Sequence, residues 1–275
     1  MVHTSRKYED KFFTIDKGSN GVLRKKTIVK GVAAHAGSNP QDGINALNVA
    51  STIITSINSL RETFWEKDFV RVHSIITKGG DSVNVVPDEV IIESYVRASS
   101  VEGLKNANEK VNRTISATAA AFGAEVIIDD NAGSEALNND PNMVDLTLEV
   151  YEKIGGKDCF ANERDIWLPS STDMGDISTL FPTVHAYACG ATGKLHGKDF
   201  IVNDPIKACV NCAKYELLMI QELLKDNAKR ANEIIKNYTP VFKNTKEYVD
   251  HKNSVNKKIN GVIYNDDGTI TVNYK

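Results

Sequence analysis

Between residues 22 and 131 the chain switches between two hydrophobic periods in an order that few folds accept. RKKTIVKGVAA (24–34) is β-branched, has glycines at its flanks and predicts a strand. Ala46, Val49, Ala50, Ile53, Ile54 and Ile57 recur at i, i+3, i+4, i+7 spacing. They predict a helix from about Gly43 to Thr63, with Asp42 as its cap. VRVHSIIT (70–77) alternates as a strand, KGGDSVNVVPD is a loop, and VIIESYVRA (90–98) is a second alternating strand. An Ala-rich helix over 101–122 closes at Gly123, and AEVIIDD (124–130) supplies a fourth strand. The order β-α-β-β-α-β is the ferredoxin-like unit, self-contained over about 110 residues.

The sequence on either side follows other rules. PNMVDLTLEVYEKIGG (141–156) predicts a helix stopped by a glycine pair. Residues 167–200 read as strand, turn, short helix, strand and glycine-rich loop. NDPIKACVNCAKYELLMIQELLKD (203–226) predicts a long amphipathic helix, capped by Asn203 or Asp204, with Pro205 in its first turn. Residues 228–249 read as a further polar helix, and GVIYNDDGTITVNYK as a hairpin turning at Asp-Asp-Gly. The fold class expected is α/β: a ferredoxin-like α+β domain joined to a short length of α/β material.

Composition removes several classes of function. A hydrophobic content of 41% with 25% charged residues is that of a packed globular chain. The net charge of −3 lacks the basic excess of a nucleic-acid surface. No apolar run approaches the roughly 18 residues that span a bilayer. MVHTSRKYEDKFF has no apolar core of a signal peptide, so the location expected is cytoplasmic. Cys159, Cys189, Cys209 and Cys212 are too sparse for a disulfide scaffold. Cys209 and Cys212 form a C-x-x-C within a helical pattern, with no second pair or neighbouring histidine. That setting reads as helix packing, with a metal or redox use left open.

Six histidines are the main chemical resource. His35 stands alone in GVAAHAGSNPQDG, where small neighbours let another group come close. His196, in GATGKLHGKDF, sits on a glycine-flanked loop of the kind that carries ligands or catalytic groups. His73 reads as structural in mid-strand, and His251 as solvated in a Lys/Asn-rich tail. Asp173 and Asp176, in SSTDMGDIS, read equally as a capped helix start or a metal site.

Taken in order, GVAAHAGSNPQDGINAL, IITKGGDSVNVVPD, YVRA, SSTDMGDIS and GATGKLHGKDF resemble the zinc-dependent amidohydrolases of the aminoacylase/carboxypeptidase family. The branch they resemble most contains the aminobenzoyl-glutamate and N-acyl-amino-acid hydrolases, and the match runs over about residues 1–225. The resemblance implies a zinc-binding α/β domain with a ferredoxin-like lid inserted, the lid also building a homodimer. On that basis residues 1–21 end a partial catalytic domain and 22–131 form the lid or dimerisation domain. Residues 132–227 form the C-terminal part of the catalytic domain, and 228–275 a helix and hairpin tail. His35 matches the lid histidine that reaches into the partner's active site and stabilises the tetrahedral oxyanion. Such a donor is worth roughly 3 kcal/mol of barrier. Asn84 and Arg97 match residues that hold the substrate amide and carboxylate, the guanidinium fork suiting bidentate pairing. His3 and His196 match zinc ligands; His185 matches no assigned role.

The family also needs an Asp- or Cys-containing motif with a histidine, then a Glu-Glu pair whose first member is the general base. The resemblance places these upstream of the segment that begins at Met1, and this chain shows no counterpart. A catalytic zinc normally takes three protein ligands and a water, and two are matched here. The expectation is a zinc- or manganese-dependent amidohydrolase acting on N-acyl or aminobenzoyl amino acids. It is expected in truncated form and inactive alone, or working with a separate N-terminal chain. The alternative is a non-catalytic dimerisation or carboxylate-binding module left from such an enzyme.

Overall fold

In the computed structural model, which describes residues 1–275, the chain divides into two units. One contains Met1–Ser19 with Ala136–Thr245, the other Asn20–Glu135 with Lys246–Lys275.

The second unit is the lid. Strands Gly21–Lys30, Arg71–Lys78, Glu89–Ala98 and Glu125–Ala132 alternate with helices Ala46–Ser59 and Val101–Ala121 in the ferredoxin-like order. Gly21–Lys30 lies centrally, antiparallel to Glu89–Ala98 on one side and to Glu125–Ala132 on the other. Arg71–Lys78 takes the far edge beyond Glu89–Ala98. Side chains two apart share a face of a strand. Leu23, Val29, Val90, Ile92, Val96, Val126 and Ile128 therefore point together onto Val49, Ile53, Val111 and Ile115 of the helices. Asn45 caps the first helix, accepting from the N–H groups of Leu47 and Asn48, so its start lies later than the Asp42 cap expected from sequence. Ser100 caps the second helix by accepting from Gly103.

Two charges interrupt this apolar layer. Lys25 and Asp130 occupy inward positions on adjacent strands and are buried as an ion pair. Lys25 Nζ also donates to Asn112 Oδ1, and Asp130 Oδ2 accepts from Asn108 and Asn112 at 2.7 and 3.0 Å. Burial pulls the Lys25 ammonium below its usual range, opposed by the Asp130 charge.

The C-terminal segment completes the lid. Lys257–Asn260 pairs antiparallel with Glu125–Ala132 as a fifth strand. The hairpin of Val262–Tyr264 and Ile270–Val272 follows, turning through Gly268 at φ 83°. Val262 is buried in the lid core, and Ser116 Oγ donates to the Asn273 carbonyl at 2.7 Å. Residues 228–275, expected as one helix and hairpin tail, are divided: 246–275 fold with the lid, because Val262 and Ile259 join its core.

The first unit has a mixed sheet ordered Val2–Ser5, Ala186–Cys189, Phe13–Ser19, Leu137–Asn138, with Phe160–Leu168 also paired to Phe13–Ser19. Its core centres on Phe13 stacked on Tyr151 at 4.2 Å between ring centres, with Tyr215 alongside. Pro141 opens helix Pro141–Gly155 behind an Asp140 cap, as the sequence pattern requires. The long helix Asn211–Asn237 is broken at Lys225–Ala228, where Asp226, Asn227 and Ala228 take left-handed dihedrals. The polar helix expected over 228–249 is divided, with a separate helix at Thr245–Val255. No helix is long and apolar enough to cross a membrane.

Removing one partner of a buried ion pair strands the other, at a cost of about 3–5 kcal/mol. Asp130→Ala is expected to lower lid stability by about that amount in urea unfolding. Asp129→Ala, on the opposite face of the same strand, should change it by less than about 0.5 kcal/mol. Equal effects would show that the Lys25 pairing does not hold the core.

Candidate functional site

The lid contributes a histidine with a fixed tautomer. His35 lies exposed on the loop after Gly21–Lys30. Its Nδ1 accepts from the backbone N–H groups of Gly37 at 3.2 Å and Ser38 at 3.1 Å. A nitrogen that accepts two hydrogen bonds carries no proton, so the imidazole proton sits on Nε2, free to donate outward. The Gly-Ser turn after His35 thus sets the chemistry of the ring.

Asn84 stands beside it. The Ala36 N–H donates to the Asn84 carbonyl at 2.9 Å, and Val86 N–H to the Ala34 carbonyl at 2.9 Å. His35 forms a β-bridge with Val85, so the two loops are zipped together. Ser82 Oγ donates to Asn84 Oδ1 at 2.5 Å and orients the amide.

Arg97 is elsewhere. It pairs with Val22, whereas the His35 and Asn84 loops leave the sheet at the Lys30–Glu89 end. Eight residues of strand separate Glu89 from Arg97, about 26 Å at roughly 3.3 Å per residue. Within one chain, Asn84 and Arg97 are therefore too far apart to grip one carboxylate. The Arg97 guanidinium lies over the Tyr95 ring at 5.4 Å, opposite Arg71 of the edge strand. His73 lies exposed on that edge strand across from Tyr95.

The first unit gathers a polar centre that the sequence does not advertise. His3, exposed on Val2–Ser5, is in register with Tyr187 and stands edge-on to His185, ring centres 4.9 Å apart. His185 is 1% exposed, and neither of its ring nitrogens has a hydrogen-bond partner. Burial pushes its pKa down to about 4, helped by His3 and the terminal amine and opposed by Asp173. It is therefore a neutral imidazole at ordinary pH. Asn139 holds the floor: its Oδ1 accepts from the backbone N–H of His185 at 2.8 Å, and its Nδ2 donates to the Asp16 carbonyl at 2.9 Å. Asp16 is buried, and burial together with the nearby Glu163 charge raises its carboxyl to about 7. Glu163 goes the other way. Burial alone would raise it, but pairing with Lys7 and a 2.7 Å hydrogen bond from Tyr8 hold it below the usual range.

His196 sits at the tip of the hairpin joining Ala191–Thr192 to Ile201–Val202, exposed and left-handed at φ 61°. A non-glycine residue held there stores backbone strain of order 1 kcal/mol, a feature concentrated at functional positions. It shares no ring contact or hydrogen bond with His3. Asp173 stands at the N-cap position of Met174–Ser178 without capping it. His251, read as solvated, instead meets Glu135 at 3.2 Å. No group of three or more His, Cys, Asp or Glu side chains is placed to hold a metal ion. All four cysteines are free.

The Asp16 carboxyl has a higher pKa folded than its ordinary 3.8, so the folded chain keeps a proton that the unfolded chain releases. Its contribution is complete below about pH 4 and is lost as pH rises towards about 7. The stability difference between the parent and Asp16→Asn should therefore fall across that window, by at most about 1.4 kcal/mol per pH unit, and level off above it. Urea unfolding at several pH values measures it; a difference independent of pH would show that Asp16 is not held protonated.

The peptidase dimerisation domain family matches residues 17–122. Xaa-Arg dipeptidase of Mus musculus is 32% identical over 57% of this chain and 36% of its own length. Hippurate hydrolase of Campylobacter jejuni is 26% identical over 78% of this chain and 56% of its own. A putative aminohydrolase from methicillin-resistant Staphylococcus aureus superposes with a TM-score of 0.64 at 19% identity, over 80% of this chain and 56% of that one. The Bacillus subtilis YXEP protein, described as a dinuclear metal-binding peptidase of the M20 family, gives 0.57 at 17% identity, over 86% of this chain and 57% of that one. The chain thus spans 36–56% of the length of these curated relatives. Residues 17–122 thus match the peptidase dimerisation domain, and most of the chain is similar to parts of these longer hydrolases.

Proposed function

We propose that the chain is the lid-bearing part of a metal-dependent amidohydrolase that cleaves the amide of N-acyl or aminobenzoyl amino acids. The observation that carries this reading is the His35 tautomer. Two backbone donors on Nδ1 leave a preoriented Nε2–H on an exposed loop, which is what an oxyanion requires. Nothing in the same lid loop gives that donor a nucleophile or a base to work with. His35 therefore serves the site of a second copy, in a homodimer built through the lid.

The positions of the carboxylate-binding residues support the same arrangement. Asn84 travels with His35 at one end of the sheet, and Arg97 stands at the other. A site that uses all three draws His35 and Asn84 from one copy and Arg97 from the other. In that site His35 Nε2–H donates to the developing oxyanion, Asn84 orients the amide, and the Arg97 fork takes the carboxylate.

A metal is implied by the family, and the local chemistry fits a share in holding one. The His3 ring makes no hydrogen bond and stands against His185, whose two ring nitrogens are unpartnered. His3 and His196 are the residues that would hold the ion, zinc or manganese, with further ligands coming from outside residues 1–275. When bound, it would polarise the scissile carbonyl and acidify a water.

Action across the dimer has a decisive test. His3→Ala and His35→Ala are each expected to lower kcat for N-benzoylglycine in the complete assembly by about 10²–10³. Mixing and refolding the two variants should restore about one quarter of the parent activity, since half the dimers are mixed and one of two sites in each is intact. No recovery on mixing would place His35 in its own chain's site. An assembly that dimerises but hydrolyses no acyl amino acid would leave only the non-catalytic module.

A further inference from the structure

The lid holds a cavity of about 550 Å³ that the proposed reaction does not use. Its walls come from helix Val101–Ala121 on one side and the C-terminal segment on the other. It exists because Lys246–Lys275 fold back on the lid. Its size is that of an ordinary small-molecule site.

Three features define what it would take. Leu104 and Val255 give the wall an apolar stretch. Lys105 and Lys257 stand exposed at the cavity, and neither has an ion-pair partner, whereas Lys275 is paired with Glu109 at 3.3 Å. The two acidic side chains of the lining are already paired, Asp130 with Lys25 and Glu109 with Lys275. The unspent charge of the lining is therefore positive, and it suits a carboxylate. The third feature is Asn108. Its Nδ2 donates to the Asp130 carboxylate at 2.7 Å, which fixes the amide orientation, because a carboxylate can only accept. Asn108 Oδ1 is left buried with no donor. Such an atom is destabilising until something donates to it, a role suited to the amide N–H of a ligand.

We propose that this cavity is a second, non-catalytic site of the lid for an N-acyl amino acid. The carboxylate is held by Lys105 and Lys257, the acyl or aroyl body lies on Leu104 and Val255, and the amide N–H turns to Asn108. The choice of ligand rests on the substrate class proposed above; the site itself rests on the cavity. Occupancy would brace the C-terminal segment against the lid helix and so report acyl amino acid to the lid.

Titration calorimetry on the whole chain tests this, with N-benzoylglycine, benzoate and glycine as probes. N-benzoylglycine should bind one per chain, benzoate about five- to ten-fold more weakly for want of an amide N–H, and glycine not measurably. Lys105→Glu with Lys257→Glu should weaken N-benzoylglycine about ten-fold or more, at an unchanged Tm because both side chains are exposed. Val255→Trp, which fills the cavity without altering charge, should do the same. His3→Ala and His35→Ala should leave the affinity unchanged, which separates this site from the proposed catalytic one. If hydrolysis is never found but the lysine and Val255 variants still weaken binding, the cavity proposal stands on its own. Absence of binding to the parent chain, binding indifferent to these variants, or binding lost only with His3→Ala would overturn it.

Discussion

The register of one strand governs the lid. Gly21–Lys30 pairs along ten residues with Glu89–Ala98 and along eight with Glu125–Ala132. A slip of one residue would turn Val29 and Leu23 to solvent and bring Arg24 and Lys26 into the core, a cost no loop contact could offset. Everything that leaves this sheet inherits that register. The loop after Lys30 carries His35, the loop before Glu89 carries Asn84, and the two emerge from paired strand ends. The hydrogen bonds between Ala34–Ala36 and Asn84–Val86 continue a ladder already set below them.

Much of this was legible in the residues, and for a physical reason. Both helices bury a wide apolar stripe, and the inner strands alternate on a strict period of two, so element types and order follow from spacing. His35 was visible because an imidazole among glycine and alanine has no packing role to explain it. The distance between Asn84 and Arg97 was not visible. Each fits a carboxylate-binding role alone, and only the antiparallel pairing shows that they leave opposite ends of one sheet.

Other features hid behind ordinary-looking sequence. KKIN at 257–260 is too polar and short to read as a strand; it becomes one because the edge of Glu125–Ala132 offers unpaired backbone groups. Lys25 and Asp130 sit in strands where a charge normally marks the solvent face, and only the neighbouring strand shows each facing the other. His185 lies in PTVHAYAC, which reads as core, and it is core, but its two nitrogens are left unsatisfied. The helix break at Lys225–Ala228 has no glycine or proline to announce it.

These placements impose a common logic on the chain. A buried polar atom without a partner, such as those of His185 and Asn108, is a standing free-energy cost that packing elsewhere must offset. An exposed imidazole with one nitrogen already engaged by two backbone donors is the opposite case: a group oriented before any substrate arrives. The lid holds its donor at one end of the sheet and its guanidinium at the other, so no motion of side chains can unite them in one copy. Roughly 26 Å of paired strand is far longer than any side chain, and its register fixes both ends. If these residues serve one reaction, two copies must supply them, and a domain that pairs with its own kind is the structural solution to that constraint.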